Sequence, residues 1–354
     1  MEKKRVTIKD IAVQTGLSVS TVSFALNGKG RVNSKTREKV ILQAREMRYQ
    51  PNILASTLPM KSKIRIAVVC PANDMYFCMV LQGIEAYYSE IAQYKVELEY
   101  YFCHGYDSED QLKRLKECVA AGVDGILLTP VTTNAIINFT RHIVKQGMPI
   151  VTFTNDLSSR ERLCFVGQNG VLAGKLAAEL MDRMLPPNAK ISLFADDTPL
   201  IINQQRMDVF SKQMRLSKKN YVLNDMRLFP NDTEETMRLA KETICIDQPD
   251  AIYTNNMLGT IALGRAMRLL RPCKKILMFG YDANEEIDEM LRDDILDLTL
   301  FQDPFAQGYY ALMLLFRNLY YKQKIRQMVY HTRTLVLTKS NVSEREKINS
   351  IFLL

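Results

Sequence analysis

The side chains best suited to chemistry in this 354-residue chain are amides, carboxylates and an arginine, most of them placed directly after apolar runs. Asp74, Tyr76 and Phe77 follow the run at 64–69, Asn155 ends the run at 149–154, Asn255 follows 251–254, Asp282 follows 276–280, and Gln302 follows Phe301. Arg206 falls in a loop-to-helix region. Asp282, Asn255, Asn155, Gln302 and Arg206 supply paired acceptors and donors that match vicinal hydroxyls, and Tyr76 and Phe77 suit the apolar face of a ring. This is the donor set of a sugar site, and a polyol would satisfy it too.

Other chemistries lack their signatures. There is no nucleophile elbow, no Walker loop and no GxGxxG after a strand, and His104, His142 and His331 stand without a motif around them. Seven scattered cysteines include no CxxC pair and read as reduced core thiols, so neither a metal nor a cofactor is expected. The pattern is that of a binding protein, not an enzyme.

The elements that must position these residues follow from the hydrophobic pattern. Apolar runs at 64–69, 96–102, 125–129, 149–154, 191–195, 251–254 and 276–280 read as buried parallel strands. Amphipathic stretches at 79–92, 109–121, 135–146 and 172–184 read as the intervening helices. Such alternation over more than 200 residues predicts an α/β body of doubly wound sheets, two of them by length, with ligands beyond the carboxyl ends of the strands.

Charge divides the chain differently. The first 62 residues hold 12 Lys/Arg against 4 Asp/Glu, and the remaining 292 hold 35 against 35. A basic head on a neutral body points to one polyanionic partner met at one end, with nucleic acid the first candidate. Within the head, Thr7 is placed to cap a helix carrying Ile8, Ile11 and Ala12 inward, which stops at Thr15-Gly16. Ser18 is placed to cap a second helix to Leu26, with Val22 and Leu26 inward and Val19, Ser20, Thr21, Ser23 and Phe24 outside. A third helix after Asn33 turns Val40, Ala44 and Met47 inward. Two short helices about a glycine turn, closed by a third, make a helix-turn-helix module.

The stretch VTIKDIAVQTGLSVSTVSFALNGKGRVNSKTREKV, continued by Tyr49-Gln50-Pro51-Asn52, resembles the DNA-binding module of the lac repressor (LacI/GalR) family. The resemblance implies that the second helix, beginning near Ser18, lies in the major groove with Val19, Ser20 and Phe24 toward the bases, and that Thr7, Ser18, Thr21, Ser23, Asn27, Lys35, Tyr49 and Asn52 also serve DNA binding, mainly at phosphates. Phe24, where many relatives carry Arg or another polar residue, favours contact with a thymine methyl. The segment between Pro51 and Pro59 is too short for an isolated helix. By family likeness it pairs with its dimer mate in the minor groove, Ala55 in close contact and Leu58 wedged between base pairs.

From about 63 to 340 the chain resembles the type I periplasmic sugar-binding fold, ribose- and galactose-binding branch. That implies two lobes with crossovers near 164–167, 301–304 and 327–331, and an effector bound between them by Asp74, Tyr76, Phe77, Asn155, Arg206, Asn255, Asp282 and Gln302. Val166-Gly167-Gln168-Asn169 with Ala173-Gly174 then takes a structural role at the lobe junction. The expected domains are a head at 1–50, a hinge at 51–62, the body at 63–340 and a tail at 341–354. The implied protein is a repressor acting as a homodimer on pseudo-palindromic operator DNA, dimerising through outer faces that include the helix at 79–92 with Tyr87 and Tyr88. No apolar run reaches 18 residues, so no membrane partner is expected and the location is cytoplasmic. Control by a protein partner, a sugar-modifying enzyme with a DNA-binding head, and a transport receptor are the alternatives.

Overall fold

The structure, a computed structural model, describes residues 8–27, 32–47, 63–72, 75–157 and 161–344. It falls into two units, Met1–Ser62 and Lys63–Leu354.

In the first unit, α1 (Ile8–Thr15), α2 (Val19–Asn27) and α3 (Ser34–Glu46) enclose a small core of Ile11, Ala12, Val22, Ala25, Val40 and Ala44. These apolar residues recur at helical spacing, so each helix offers one buried stripe, and three stripes suffice to exclude water. Gly16 turns the chain between α1 and α2 at φ +69°, a left-handed conformation that costs a glycine little. Ser18 Oγ accepts from the Thr21 amide at 3.1 Å, and Asn33 Oδ1 from the Thr36 amide at 2.7 Å, which caps α2 and α3 as their sequences predict. Lys39, exposed on α3, donates to the Thr15 carbonyl at 3.0 Å and ties α3 to the end of α1.

The second unit has two lobes. Lobe one is a parallel sheet of β1 (Ile64–Pro71), β2 (Val96–Cys103), β3 (Gly125–Leu128), β4 (Ile150–Phe153), β5 (Cys164–Gly167) and β12 (Val329–His331), in spatial order β12-β5-β4-β3-β1-β2. It is wound with α4 (Met75–Glu90), α5 (Ser108–Ala120), α6 (Asn134–Lys145) and α12 (Pro304–Tyr321). Lobe two centres on β6 (Lys190–Asp196), β9 (Ala251–Thr254), β10 (Leu277–Tyr281) and β11 (Leu298–Phe301), flanked by β7 (Val222–Leu223), β8 (Arg227–Phe229) and an antiparallel β13 (Leu335–Leu337). Its helices are α7 (Gly170–Met184), α8 (Ile201–Arg215), α9 (Thr233–Cys245), α10 (Met257–Leu270) and α11 (Glu285–Arg292).

The central strands β3, β4, β9, β10 and β11 are buried at every position, which is why they read as continuous apolar runs instead of alternating ones. The chain passes between lobes after β5, after β11 and after β12. The segments 164–167 and 327–331, expected as crossovers, thus contain strands of lobe one, and the crossings follow them.

Two glycines set how α4 lies on α12. A Cβ on Gly83 would stand 2.0 Å from the Phe305 carbonyl oxygen, and one on Gly308 would stand 2.0 Å from that of Val80. Beside this contact Tyr87 is buried, its ring 5.1 Å from Tyr309 and 6.2 Å from Phe316. Tyr87 was expected on an outer face; it belongs to the packing between α4 and α12, and Tyr88 is half-buried with its hydroxyl on the Val96 carbonyl. The described part of the tail is also docked, since Val342 is buried in the short 3-10 turn Val342–Glu344.

Candidate ligand cleft and nucleic-acid interface

Each lobe brings its strand ends to a cavity of about 210 Å³. Lobe one supplies Tyr76 from the start of α4, Tyr106 after β2 and Thr154 after β4; lobe two supplies Asp196 at the end of β6, Arg206 from α8, Asn256 after β9, Asp282 after β10 and Gln302 after β11. This is the crevice at the carboxyl ends of strands where doubly wound sheets bind ligands.

Arg206 organises the lobe-two wall. Although only 1% exposed, it hydrogen-bonds no carboxylate among the described residues. Its Nε donates to Gln168 Oε1 at 3.0 Å, Nη1 to Asn203 Oδ1 at 3.0 Å and to the Asn255 carbonyl at 2.9 Å, and Nη2 to Gln302 Oε1 at 2.7 Å. The guanidinium also lies 4.4 Å from the centroid of the Tyr281 ring, where the ring face favours a cation. Amides stand between this charge and both nearby carboxylates. Gln302 Nε2 donates to Asp282 Oδ1 at 2.8 Å, and Asn203 Nδ2 to Asp196 Oδ2 at 3.0 Å.

Asp196 also accepts from Asn255 Nδ2 at 2.7 Å and from the Thr198 hydroxyl. Burial pushes its carboxyl up, and these three donors partly offset the shift. Tyr281 shares a 3.1 Å hydroxyl contact with Tyr253, and burial pushes its hydroxyl up to about 12. On the facing wall Tyr76 donates to Gln307 Oε1 at 3.0 Å.

The backbone at these strand ends is unusual. Thr154, Asp282 and Asp303 have φ of +63°, +66° and +55°, left-handed values that non-glycine residues seldom adopt and that are commonest at functional sites. Asp303 uses the bend to cap α12, accepting from the Ala306 amide at 3.1 Å.

The structure therefore gathers Arg206, Asp282 and Gln302 on one wall of the cavity with Tyr76 on the other, and sets three expected contact residues behind them. Phe77, expected to stack on a ring, is 1% exposed and packs edge-on to Tyr76 and Phe153 as core. Asn155 is fully buried; its Nδ2 donates to the Pro130 carbonyl and to Thr132, and its Oδ1 accepts from the Ile202 amide at 3.3 Å, so it ties one lobe to the other. A second tie runs from the Thr132 amide to the Pro199 carbonyl at 3.0 Å. Asn255 is spent on Asp196 and Arg206. Arg206 itself lies inside α8, not in a loop, because the helix begins five residues earlier. Asp74 lies outside the described residues.

Sequence reasoning missed Asp196, Asn203, Gln168 and Asn256. Asp196 follows the expected strand at 191–195 by one residue as Asp282 follows 276–280 by two, so the same rule reaches it. Asn203 sits three residues before Arg206, on the same helix face. Gln168 belongs to the junction segment read as structural, and it does position Arg206; a Cβ on Gly174 would lie 2.6 Å from the Arg206 carbonyl oxygen, which explains the glycine. Asn256 caps α10 through the Gly259 amide at 2.9 Å while lining the cavity.

On the head, the exposed end and flank of α2 carry Ser18, Val19, Ser20 and Phe24, with Val19 47% and Phe24 48% exposed. Thr21 and Ser23 are half-buried, Lys35 is exposed at the start of α3, and Asn27 ends α2. Thr7, Tyr49, Asn52, Ala55 and Leu58 lie outside the described residues. Among the described residues no group of His, Cys, Asp or Glu is placed to hold a metal, and no helix is long and apolar enough to cross a membrane.

A helix-turn-helix head followed by a two-lobed body with a cleft at its strand ends joins a nucleic-acid-binding module to a ligand-binding one. Family models agree: residues 7–52 match the lacI family of bacterial regulatory proteins, and residues 66–323 match the periplasmic binding protein domain. The chain belongs by its body to the periplasmic binding protein domain family, and its head is a lacI-family DNA-binding domain. It is similar to the HTH-type transcriptional repressor PurR of Mannheimia succiniciproducens, 25% identical over 94% of this chain and 98% of that one. It is 29% identical to the HTH-type transcriptional regulator DegA of Bacillus subtilis over 155 residues, which span 43% of this chain and 44% of DegA. Among solved structures, an ABC transporter solute binding protein of Agrobacterium vitis with bound D-fucose shares the fold, with a TM-score of 0.75 and 21% identity over 80% of this chain and 99% of that one.

Proposed function

We propose that the protein is a transcriptional repressor that binds a pseudo-palindromic operator as a homodimer, and whose DNA affinity is set by a small sugar-like effector held between its lobes. The observation that carries this reading is the cavity wall of Arg206, Gln302 and Asp282. These are buried polar groups from three elements, held in place because Gln302 accepts from Arg206 and donates to Asp282. Such a wall recognises hydroxyls in fixed directions, and Tyr76 gives it an aromatic neighbour across the cleft. The bound D-fucose of the Agrobacterium protein and the names of the full-length relatives support the same assignment.

Val19, Ser20 and Phe24 are the residues proposed to read bases, with Thr21, Ser23 and Lys35 on phosphates. Ser18, which caps α2, is proposed to stand at the groove edge. In the dimer, Thr7, Asn27, Tyr49 and Asn52 complete the phosphate contacts, and Ala55 and Leu58 enter the minor groove. The effector acts by binding one lobe arrangement better than the other, since equal affinity for both would shift nothing. The role is one of binding, without catalysis.

The test is a thermal-shift screen of the full-length chain against monosaccharides and polyols, followed by operator titration with and without each hit. A hit that raises the melting temperature and changes the operator Kd supports the proposal. Normal effector affinity in Asp282→Ala removes the cleft from it.

A further inference from the structure

We infer that the cleft takes an uncharged polyhydroxyl ligand and rejects its carboxylated or phosphorylated counterpart, and that Asp196 is the residue that enforces the choice. This rests on the sugar-class reading above and narrows it by charge.

The argument is an account of hydrogens and charges on the wall. Arg206 is the sole Lys, Arg or His among the described lining residues. An arginine that binds a carboxylate or phosphate offers two parallel N–H groups from its planar fork. Of the five N–H groups of Arg206, four are already committed: Nε to Gln168, both of Nη1 to Asn203 and Asn255, and one of Nη2 to Gln302. Among the described residues a single N–H is left without a partner, which suits one hydroxyl and makes no bidentate clamp.

Against that one cation the same wall presents two carboxylates, Asp196 and Asp282. Gln302 and Asn203, the amides that link them to Arg206, fix all three in place. An incoming anion therefore meets an excess of negative charge in a half-closed space, without a free guanidinium edge to receive it. A hydroxyl meets carboxylate acceptors, an amide-bearing Asn256 and the remaining N–H, all of which it can use.

Asp196 is the discriminating member of the pair. Asp282 is the acceptor expected to hold ligand hydroxyls, and its carboxylate is part of recognition itself. Asp196 is already satisfied by Thr198, Asn203 and Asn255 and adds charge to the wall beyond what its own hydrogen bonds require.

The experiment uses the full-length chain and matched pairs: D-galactose with D-galacturonate, D-glucose with D-glucose 6-phosphate and with D-gluconate, and myo-inositol with its monophosphate. Binding is measured by calorimetry up to millimolar ligand. The expected result is that every pair with a response has the neutral member binding about tenfold or more tightly, and that Asp196→Asn narrows that ratio. An anionic member that binds as tightly as its neutral partner overturns the inference while leaving the sugar reading intact. An unchanged ratio in a folded Asp196→Asn overturns the assignment to Asp196; if that variant does not fold, the wild-type ratios still decide the charge rule. Silence across all pairs sinks the sugar reading and this inference with it.

Discussion

Asp282 does two things that different substitutions separate. Its carboxylate accepts from Gln302, and its backbone sits at φ +66°, where a Cβ is costly. Asp282→Gly and Asp282→Ala should lose effector binding alike, but the glycine variant should be the more stable of the two by about 1 kcal/mol, read from urea unfolding. Arg206→Met keeps the bulk and removes the donors, stranding Gln168, Asn203, Gln302 and the Asn255 carbonyl. The expected loss is about 3 kcal/mol of stability, together with effector binding. Asp196 adds a pH dependence whose sign follows from its cause. Burial raises its folded carboxyl above the ordinary 3.8, so the native state holds the proton more firmly than the unfolded chain. That contribution is fully present below 3.8 and is lost as pH rises through the folded value. Wild type should therefore gain stability relative to Asp196→Asn on going from about pH 7 to about pH 3.5, as thermal melts of both proteins would show.

At the scale of elements, the contact of α4 with α12 is the most exacting in lobe one. Each helix meets a backbone carbonyl of the other through a glycine, so a methyl group has no flexible side chain to displace. Gly83→Ala and Gly308→Ala should each cost about 3 kcal/mol, at the upper end for overpacking, with lobe-one amides losing hydrogen-exchange protection first. An unchanged protection pattern would contradict this packing. In the head, Ser18 both caps α2 and sits at its exposed end. Ser18→Ala should lower the protection of the first α2 amides by about 1 kcal/mol, whereas Ser18→Asp, a good cap, should restore it while weakening DNA binding through its charge. That pair of variants parts the structural role of the residue from the nucleic-acid role.

For the whole molecule, the charge split governs how DNA is met. The head carries the excess of Lys and Arg and the body is balanced, so operator affinity should fall steeply with salt. Lys35→Ala should reduce the slope of log K against log salt by about one and weaken all sequences alike. Phe24→Ala should leave that slope unchanged and alter the preference among operators, because an apolar side chain releases no counterion. Titrations at several salt concentrations distinguish the two.

The sequence carries the class of the protein and the strands β1 to β4, β6, β9 and β10. Runs such as 251–254 are apolar throughout because both faces of a parallel strand are covered, and that covering is written in composition; caps such as Ser18 and Asn33 act within three residues of themselves. It also identified Arg206, Asp282 and Gln302, which follow or face strand ends. What tertiary structure alone decided is which polar groups remain available. Asn155 and Asn255 look like Gln302 in sequence, yet one is consumed joining the lobes and the other lies beneath Asp196 and Arg206. Phe77, one residue from Tyr76 on the same helix, turns away into the core. A side chain's hydrogen-bond partners here come from positions tens of residues away, such as Gln168 and Gln302 around Arg206, and no local pattern records that meeting.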